Sequence, residues 1–399
     1  MRDFSYFCTM AGIYIHIPFC KSKCAYCGFY SLPSLKLKNM FLEALKHETI
    51  QRKDYLNGKT INTIYFGGGT PSLLSVAEIE CLLFLINKHY PVAPNTEITL
   101  EANPDTLSLE YLKGLHQVGI NRLSIGIQSF FDNDLQYLGR KHDSLHAQRC
   151  LDWAKLANFD NISIDLIYGL PTSNAEQWNK NLDVFFAYDI PHLSAYALTL
   201  EPNSILTKQI EQGKTLPVID DDALRDYDIL CQRAKGNGYL HYEISNFCHR
   251  GMHSKHNASY WFGTPYLGLG PSAHSYNGIS RQWNISSVEK YVDAKPETAR
   301  LRDKKVPCPI VPRPVSEKET LSPEQLYDEY VMLRLRTHWG IDLKWLKREM
   351  GERFSAYCEQ HAQPLIAQGR LTQTREFLYL TDMQMLFADG VAEELFWES

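Results

Sequence analysis

Residues 12–31 read GIYIHIPFCKSKCAYCGFYS, and three of the chain's ten cysteines, Cys20, Cys24 and Cys27, fall within eight residues of that stretch. The run Ile13-Tyr14-Ile15-His16-Ile17 alternates with a period of two, the signature of a β-strand, and Pro18 closes it. The cysteines therefore sit on a loop leaving a strand end. Three thiolates spaced C-x3-C-x2-C can hold three irons of a 4Fe–4S cluster and leave the fourth iron open to a ligand. Other uses of the triplet fit less well. Buried core thiols would not need Lys21, Ser22 and Lys23 between them. Zinc would need a fourth ligand from Cys8 or His16, and no second C-x2-C hairpin accompanies the first. An odd number of thiols suits no disulfide pairing.

Outward from this loop, strand and helix patterns alternate. Residues 38–52 carry Phe41, Leu42 and Leu45 at helical spacing, and residues 60–66 form a strand that runs into Gly67-Gly68-Gly69-Thr70-Pro71. Ser75 and Glu78 have capping-box spacing, which predicts a helix reaching about residue 88. Further strands are predicted at 97–101, 122–128, 162–167 and 192–198. Helices fall between them: one ending before Gly119, one at 145–156, and one opened by Ser173 and Glu176. Six strands alternating with helices predict an α/β fold, a parallel sheet that curls into an open, partial (β/α)6 version of the TIM barrel. Ligands of such sheets gather at the carboxyl ends of the strands. The cysteine loop, Gly67 to Thr70, Glu101, Gln128 and Asp165 all fall near those ends. The glycine run lacks the lysine and spacing of a P-loop, so it suggests a close backbone approach to some other ligand.

The pattern changes beyond residue 220. A helix to about 237 precedes a histidine- and aromatic-rich stretch, then a proline-rich charged segment reading as a linker. Ser322-Pro323-Glu324-Gln325 opens a helix with Pro at its first position, and residues 376–380 look like part of a small hairpin. The expected organisation is a barrel over 1–240, a His/aromatic segment packed on it over 241–295, a linker over 296–320, and a winged-helix-like α+β module over 321–399.

Composition narrows the function classes. With 44% hydrophobic and 22% charged residues over 399 positions, the chain is globular and long enough for two or three domains. Its net charge of −5 argues against a nucleic-acid partner, and the last module, with 8 Lys+Arg against 13 Asp+Glu, is a poor DNA reader. No apolar run reaches the length of a membrane span, so an integral membrane protein is not expected. The opening residues, with Arg2 and Asp3, lack the apolar core of an export signal, and a reducing cytoplasm is the expected compartment.

The cysteine loop and the GGGTP loop together resemble the radical S-adenosylmethionine (SAM) superfamily. The likeness narrows to its coproporphyrinogen dehydrogenase (HemN) group through IYIHIPFC at 13–20, ANPDTL at 102–107, RLSIGIQSF at 122–130, LGRKH at 138–142 and SIDLIYGLP at 163–171. YEISNF at 242–247, HNxxYW at 256–261 and YLGLGPSAHS at 266–275 look most like the haem-chaperone branch, HemW. The resemblance implies that Cys20, Cys24 and Cys27 ligate a 4Fe–4S cluster whose open iron is chelated by SAM. It implies that Tyr14 lies against the cofactor, that Gly68, Gly69 and Thr70 meet its methionine part, and that Glu101, Arg140 and Asp165 hold its polar groups. Gln128 matches a cofactor-contacting position. Whether the cofactor is cleaved or only bound stays open.

Two departures weigh against the oxidase branch. Phe29 stands where the HemN oxidases carry a further cysteine, and only thirteen residues precede Tyr14, short of their N-terminal arm. Gly28 stands where HemW relatives more often have Asp. Residues 241–276 hold five of the fourteen histidines, His241, His249, His253, His256 and His274. His256 and Asn257, followed by Tyr260 and Trp261, offer an axial nitrogen and flat apolar faces for haem. A hydrogen-bonded histidine among core aromatics is the competing account. The expected function is a haem chaperone delivering haem to an acceptor protein, with a membrane-associated acceptor among the options. The alternative is a radical SAM oxidoreductase acting on a porphyrinogen.

Overall fold

The computed structural model describes residues 10–28, 30–202, 204–293 and 315–398. Cys8, Phe29 and residues 296–314 of the expected linker lie outside the described residues. Six strands form where alternation predicts them: β1 (Ala11–Ile17), β2 (Ile61–Gly68), β3 (Val92–Ala102), β4 (Arg122–Gln128), β5 (Ile162–Tyr168) and β6 (His192–Ala197). Each pairs in parallel with its neighbour in chain order, and helices cross over between them. Parallel strands covered on both faces are buried throughout, and every residue of β4 is buried. The capping box of Ser75 and Glu78 is present at the helix Val76–His89. The expected box of Ser173 and Glu176 is not. Asn174 caps the helix Ala175–Ala187 instead, its side chain accepting from the Gln177 N–H at 2.9 Å.

The sheet does not stop at six strands. β7 (Leu240–Glu243) and β8 (Asn246–Cys248) extend it past β6, running antiparallel. At the other edge β9 (Tyr266–Leu269) pairs in parallel with β1, followed by antiparallel β10 (His274–Tyr276), β11 (Ser280–Asn284) and β12 (Val315–Thr320). The His/aromatic segment thus supplies strands to both flanks, and the last residues of the expected linker form a strand. The result is an α/β fold whose mixed twelve-stranded sheet is built around a run of six parallel strands, as the sequence pattern predicts.

After β12 comes a mainly helical module with its own core. The helix Pro323–Leu335 opens on the capping box of Ser322 and Gln325, and helices follow at Leu343–Met350 and Glu352–Ala367. A three-stranded sheet, including the antiparallel pair of Thr372–Gln373 with Phe377–Tyr379, packs with them. Tyr327, Val331, Leu346, Cys358 and Leu378 are buried between these pieces.

Candidate functional site

The parallel order of β1 to β6 brings six carboxyl ends to one rim. The cysteine loop leaves β1 there and is tied down at its base. Cys20 N–H donates to the Leu32 carbonyl at 3.0 Å, and Leu32 N–H donates to the Pro18 carbonyl at 2.7 Å. Farther along, Ala25 N–H reaches the Leu138 carbonyl at 3.1 Å, and Lys21 Nζ pairs with Asp105 Oδ2 at 3.2 Å. Cys20, Cys24 and Cys27 form no disulfide, are partly exposed, and line a cavity of about 400 Å³. Gly68, Gly69, Thr70, Glu101, Gln128, Arg140 and Asp165 line the same cavity.

The glycines have a packing reason as well as a ligand-facing one. Gly68 has φ +109°, and a Cβ on Gly69 would stand 2.6 Å from the Phe19 carbonyl oxygen. Only glycine lets the end of β2 lie this close to the cysteine loop, where Gly69 N–H donates to the Ile17 carbonyl at 2.8 Å. Gly28 is filled from outside in a similar way. A Cβ there would meet Glu201 Cγ at 2.6 Å, so the space of a side chain at this position is taken by Glu201.

Two donors point at the thiols. Arg140 Nη1 donates to Cys24 Sγ at 3.3 Å, and Thr70 Oγ1 donates to Cys20 Sγ at 3.5 Å. Asn103 joins them: its amide donates to Thr70 Oγ1 at 3.1 Å, and its carbonyl accepts from Arg140 Nη2 at 2.8 Å. In the sequence Asn103 stands within the ANPDTL stretch with no role of its own. Its position two residues past Glu101, at the end of β3, is the signal that it belongs to the site.

Two carboxyls sit deep beside this network. Glu101 accepts from the Tyr65 hydroxyl at 2.8 Å and from Gly68 N–H at 3.0 Å. Burial pushes its pKa up to about 7, against the pull of the Tyr65 hydrogen bond, and nearby Asp165 adds to the rise. Burial likewise lifts Asp165 to about 6, despite help from Ser194 and Arg122. Both carboxyls therefore ionise at higher pH than an exposed carboxylate does. Gln128 stands at a register shift in β4 with φ +69°, a conformation uncommon outside glycine, and it too faces the cavity.

Tyr14 is not among the residues lining this cavity. Its hydroxyl meets His16 Nδ1 at 3.1 Å, and its ring lies 6.1 Å from Tyr65 and 6.3 Å from His256. His256 is not brought to the cysteines either. It is 1% exposed, with Nδ1 on Thr63 Oγ1 at 2.8 Å and Nε2 on the Tyr260 hydroxyl at 2.8 Å. Burial holds its ring at a pKa of about 3, so it is neutral and both nitrogens are engaged. As an axial ligand it would have to give up one of these bonds. The hydrogen-bonded core histidine describes it as it stands. Asn257 N–H turns back to Ser254 Oγ at 3.5 Å, and Trp261 is half-buried at the end of the same helix, Lys255–Trp261.

Tyr260 faces a second cavity, lined by the β9–β11 edge of the sheet and by the C-terminal helices. His274, which stacks on Trp283 at 5.8 Å, lines it too. Burial, then the Arg281 charge, keeps the His274 ring below its ordinary pKa. Among the described residues no trio of His, Cys, Asp or Glu is set to hold a single metal ion. Cysteines that grip separate corners of an iron–sulfur cube need not converge on one point. No helix among the described residues is long and apolar enough to cross a membrane.

Residues 14–185 match the family described as the radical SAM superfamily, and residues 321–387 match the HemN C-terminal domain. A Bacillus subtilis protein named heme chaperone HemW is 32% identical over 386 residues, covering 96% of this chain and 98% of the relative. A protein of the same name from Mycobacterium tuberculosis is 31% identical over 388 residues, covering 96% and 94%. The solved coproporphyrinogen III oxidase HemN of Escherichia coli superposes with a TM-score of 0.79 over 98% of this chain and 92% of its own, at 21% identity, a likeness of fold. The chain belongs to the radical SAM superfamily, within its HemN/HemW-like group.

Proposed function

We propose that this protein is a haem chaperone built on a radical SAM scaffold, binding haem and passing it to an acceptor protein in the reducing cytoplasm. The observation that carries the reading is the likeness to relatives named heme chaperone. It runs through 96% of the chain, across the cysteine loop and the C-terminal module alike. Phe29, at the place where the resemblance puts a further cysteine in the oxidases, supports the chaperone branch over the oxidase. The C-terminal module, helices followed by a small antiparallel pair, is winged-helix-like in this reading. An acceptor bound at a membrane is compatible with it.

The residues of the first cavity fit a 4Fe–4S cluster and SAM. Cys20, Cys24 and Cys27 would take three irons. Arg140 donates to the Cys24 sulfur and Thr70 to the Cys20 sulfur, which orients both at the cavity. Glu101 and Asp165 would meet the cationic amino and sulfonium groups, and the Gly68 to Thr70 backbone would approach the methionine part. Bound there, the two groups would supply one-electron chemistry. The protein's own contribution is to hold the thiols at the rim, orient the zwitterion and keep water out with Tyr26, Ile167 and Leu198.

Anaerobic reconstitution tests the scaffold: about four iron and four sulfide per chain are expected, and zinc without iron would sink it. Haem-loaded protein mixed with an apo-haem acceptor tests the chaperone. Transfer of the haem spectrum to the acceptor is expected. Stoichiometric decarboxylation of coproporphyrinogen, with no haem transfer, would favour the oxidase instead.

A further inference from the structure

The second cavity is the larger of the two, about 820 Å³ against about 400 Å³. One wall is the antiparallel ladder of β10 and β11. His274 and Tyr276, two residues apart, share a face of it, and Arg281 pairs across from Tyr276. Another wall comes from the C-terminal module, where Tyr330 and Trp345 stack with ring centroids 4.4 Å apart. Lys59 stands at the same cavity and makes none of the ion pairs described for this chain. Arg281 gives one arm to Glu329 at 2.7 Å, while its Nε is buried with no hydrogen-bond partner. The Arg281 side chain is nonetheless 38% exposed and lines the cavity, so its guanidinium can also meet an anionic ligand there.

These are the needs of a metalloporphyrin. The macrocycle is flat and apolar and suits aromatic walls, its iron takes an axial imidazole, and its two carboxylate arms need cations. The volume lies within the range of ligand pockets, and the lining combines apolar surface with a few converging polar groups.

We propose that this cavity takes haem, with His274 as axial ligand and Lys59 and Arg281 meeting the propionates. The proposal rests on the haem-binding reading of function and moves the site away from His256. The geometry favours the move. Both ring nitrogens of His256 are engaged inside the protein, whereas His274 is exposed and, among the described residues, has no hydrogen bond or ion pair through its ring. Tyr260 connects the two places. Its hydroxyl bonds His256 Nε2 and it also lines the cavity. The His-Asn-x-x-Tyr-Trp stretch then builds the cavity wall and does not hold the iron.

The test is absorbance titration of ferric haem, and of haem dimethyl ester, into the full chain. Wild type, His274→Ala, His274→Met, His256→Ala, Lys59→Gln and Arg281→Gln are compared. His274→Ala should weaken haem binding by about tenfold or more and move the Soret band. His274→Met, which keeps a ligand of another type, should give a third spectrum. Lys59→Gln and Arg281→Gln should weaken haem but leave the dimethyl ester, which lacks the carboxylate charges, unchanged. If wild type binds haem while His274→Ala and His274→Met keep its spectrum and affinity, the site is overturned and the chaperone reading stands. The site is overturned in the same way if only His256→Ala shifts the Soret band. If wild type binds no haem, both fall.

Discussion

Glu101 and Asp165 carry the sharpest residue-level expectation. Burial raises both, to about 7 and about 6, because a lone carboxylate is poorly solvated in the cavity. They ionise only as pH climbs through that window, so affinity for a cationic ligand such as SAM should rise from pH 5.5 to 7.5. The ligand's α-amino group, with a pKa of about 7.7–8.0, is still largely protonated there. Calorimetric titration should show a gain on the order of tenfold, and Glu101→Gln should flatten most of it. An unchanged profile in the variant would remove Glu101 from the account. Glu101 was legible in the sequence because it ends an alternating strand; Asn103, two residues on, was hidden inside the ANPDTL stretch. His256 shows the limit more clearly. Its contact with Tyr260 is a helical i, i+4 pair that spacing could suggest, but Thr63 is 193 residues away in the chain. Only folding brings that hydroxyl to the ring and turns a candidate ligand into a satisfied core histidine. At Gly69, the added methyl of Gly69→Ala would meet the Phe19 carbonyl, and a loss of about 1–3 kcal/mol in stability is expected by denaturant unfolding.

At the level of elements, the six central strands were readable because they run six to eleven residues, long enough to show a strand period between helical stretches. The flanking strands were not. β7 to β11 are three to five residues each, too short to show a period, and they are set in place by pairing with strands already there. Helix starts divide in the same way. Ser75 and Ser322 both form the expected capping boxes, while Ser173 loses its helix to Asn174, one residue on, because Asx and Ser caps compete when adjacent. Asn174→Ala should therefore cost about 0.5–2 kcal/mol in a denaturant melt, and Ser173→Ala only a few tenths. The reverse order would restore the sequence-based assignment.

The whole molecule places two cavities apart: one at the carboxyl rim of the parallel strands, holding the cysteines, and one lined by the sheet's β9–β11 edge and the C-terminal module. Among the described residues none lines both. That separation gives a scaffold in which the cluster and SAM occupy one place and a flat anionic cargo another. The first cavity was foreseeable, since most of its principal residues fall at or just past strand ends; Arg140, beyond the helix Asp132–Tyr137, is the exception. The second was not, because it exists only where segments far apart in the chain, around residues 260–281 and 323–354, come together. The most direct test of the account is titration of ferric haem into the wild-type chain with its cluster reconstituted, alongside Cys20→Ala prepared without it. Saturation at about one haem per chain in both is the predicted result, since a single pocket of this size takes one ligand and does not share residues with the cysteines. Failure of the reconstituted wild-type chain to bind haem saturably would contradict it.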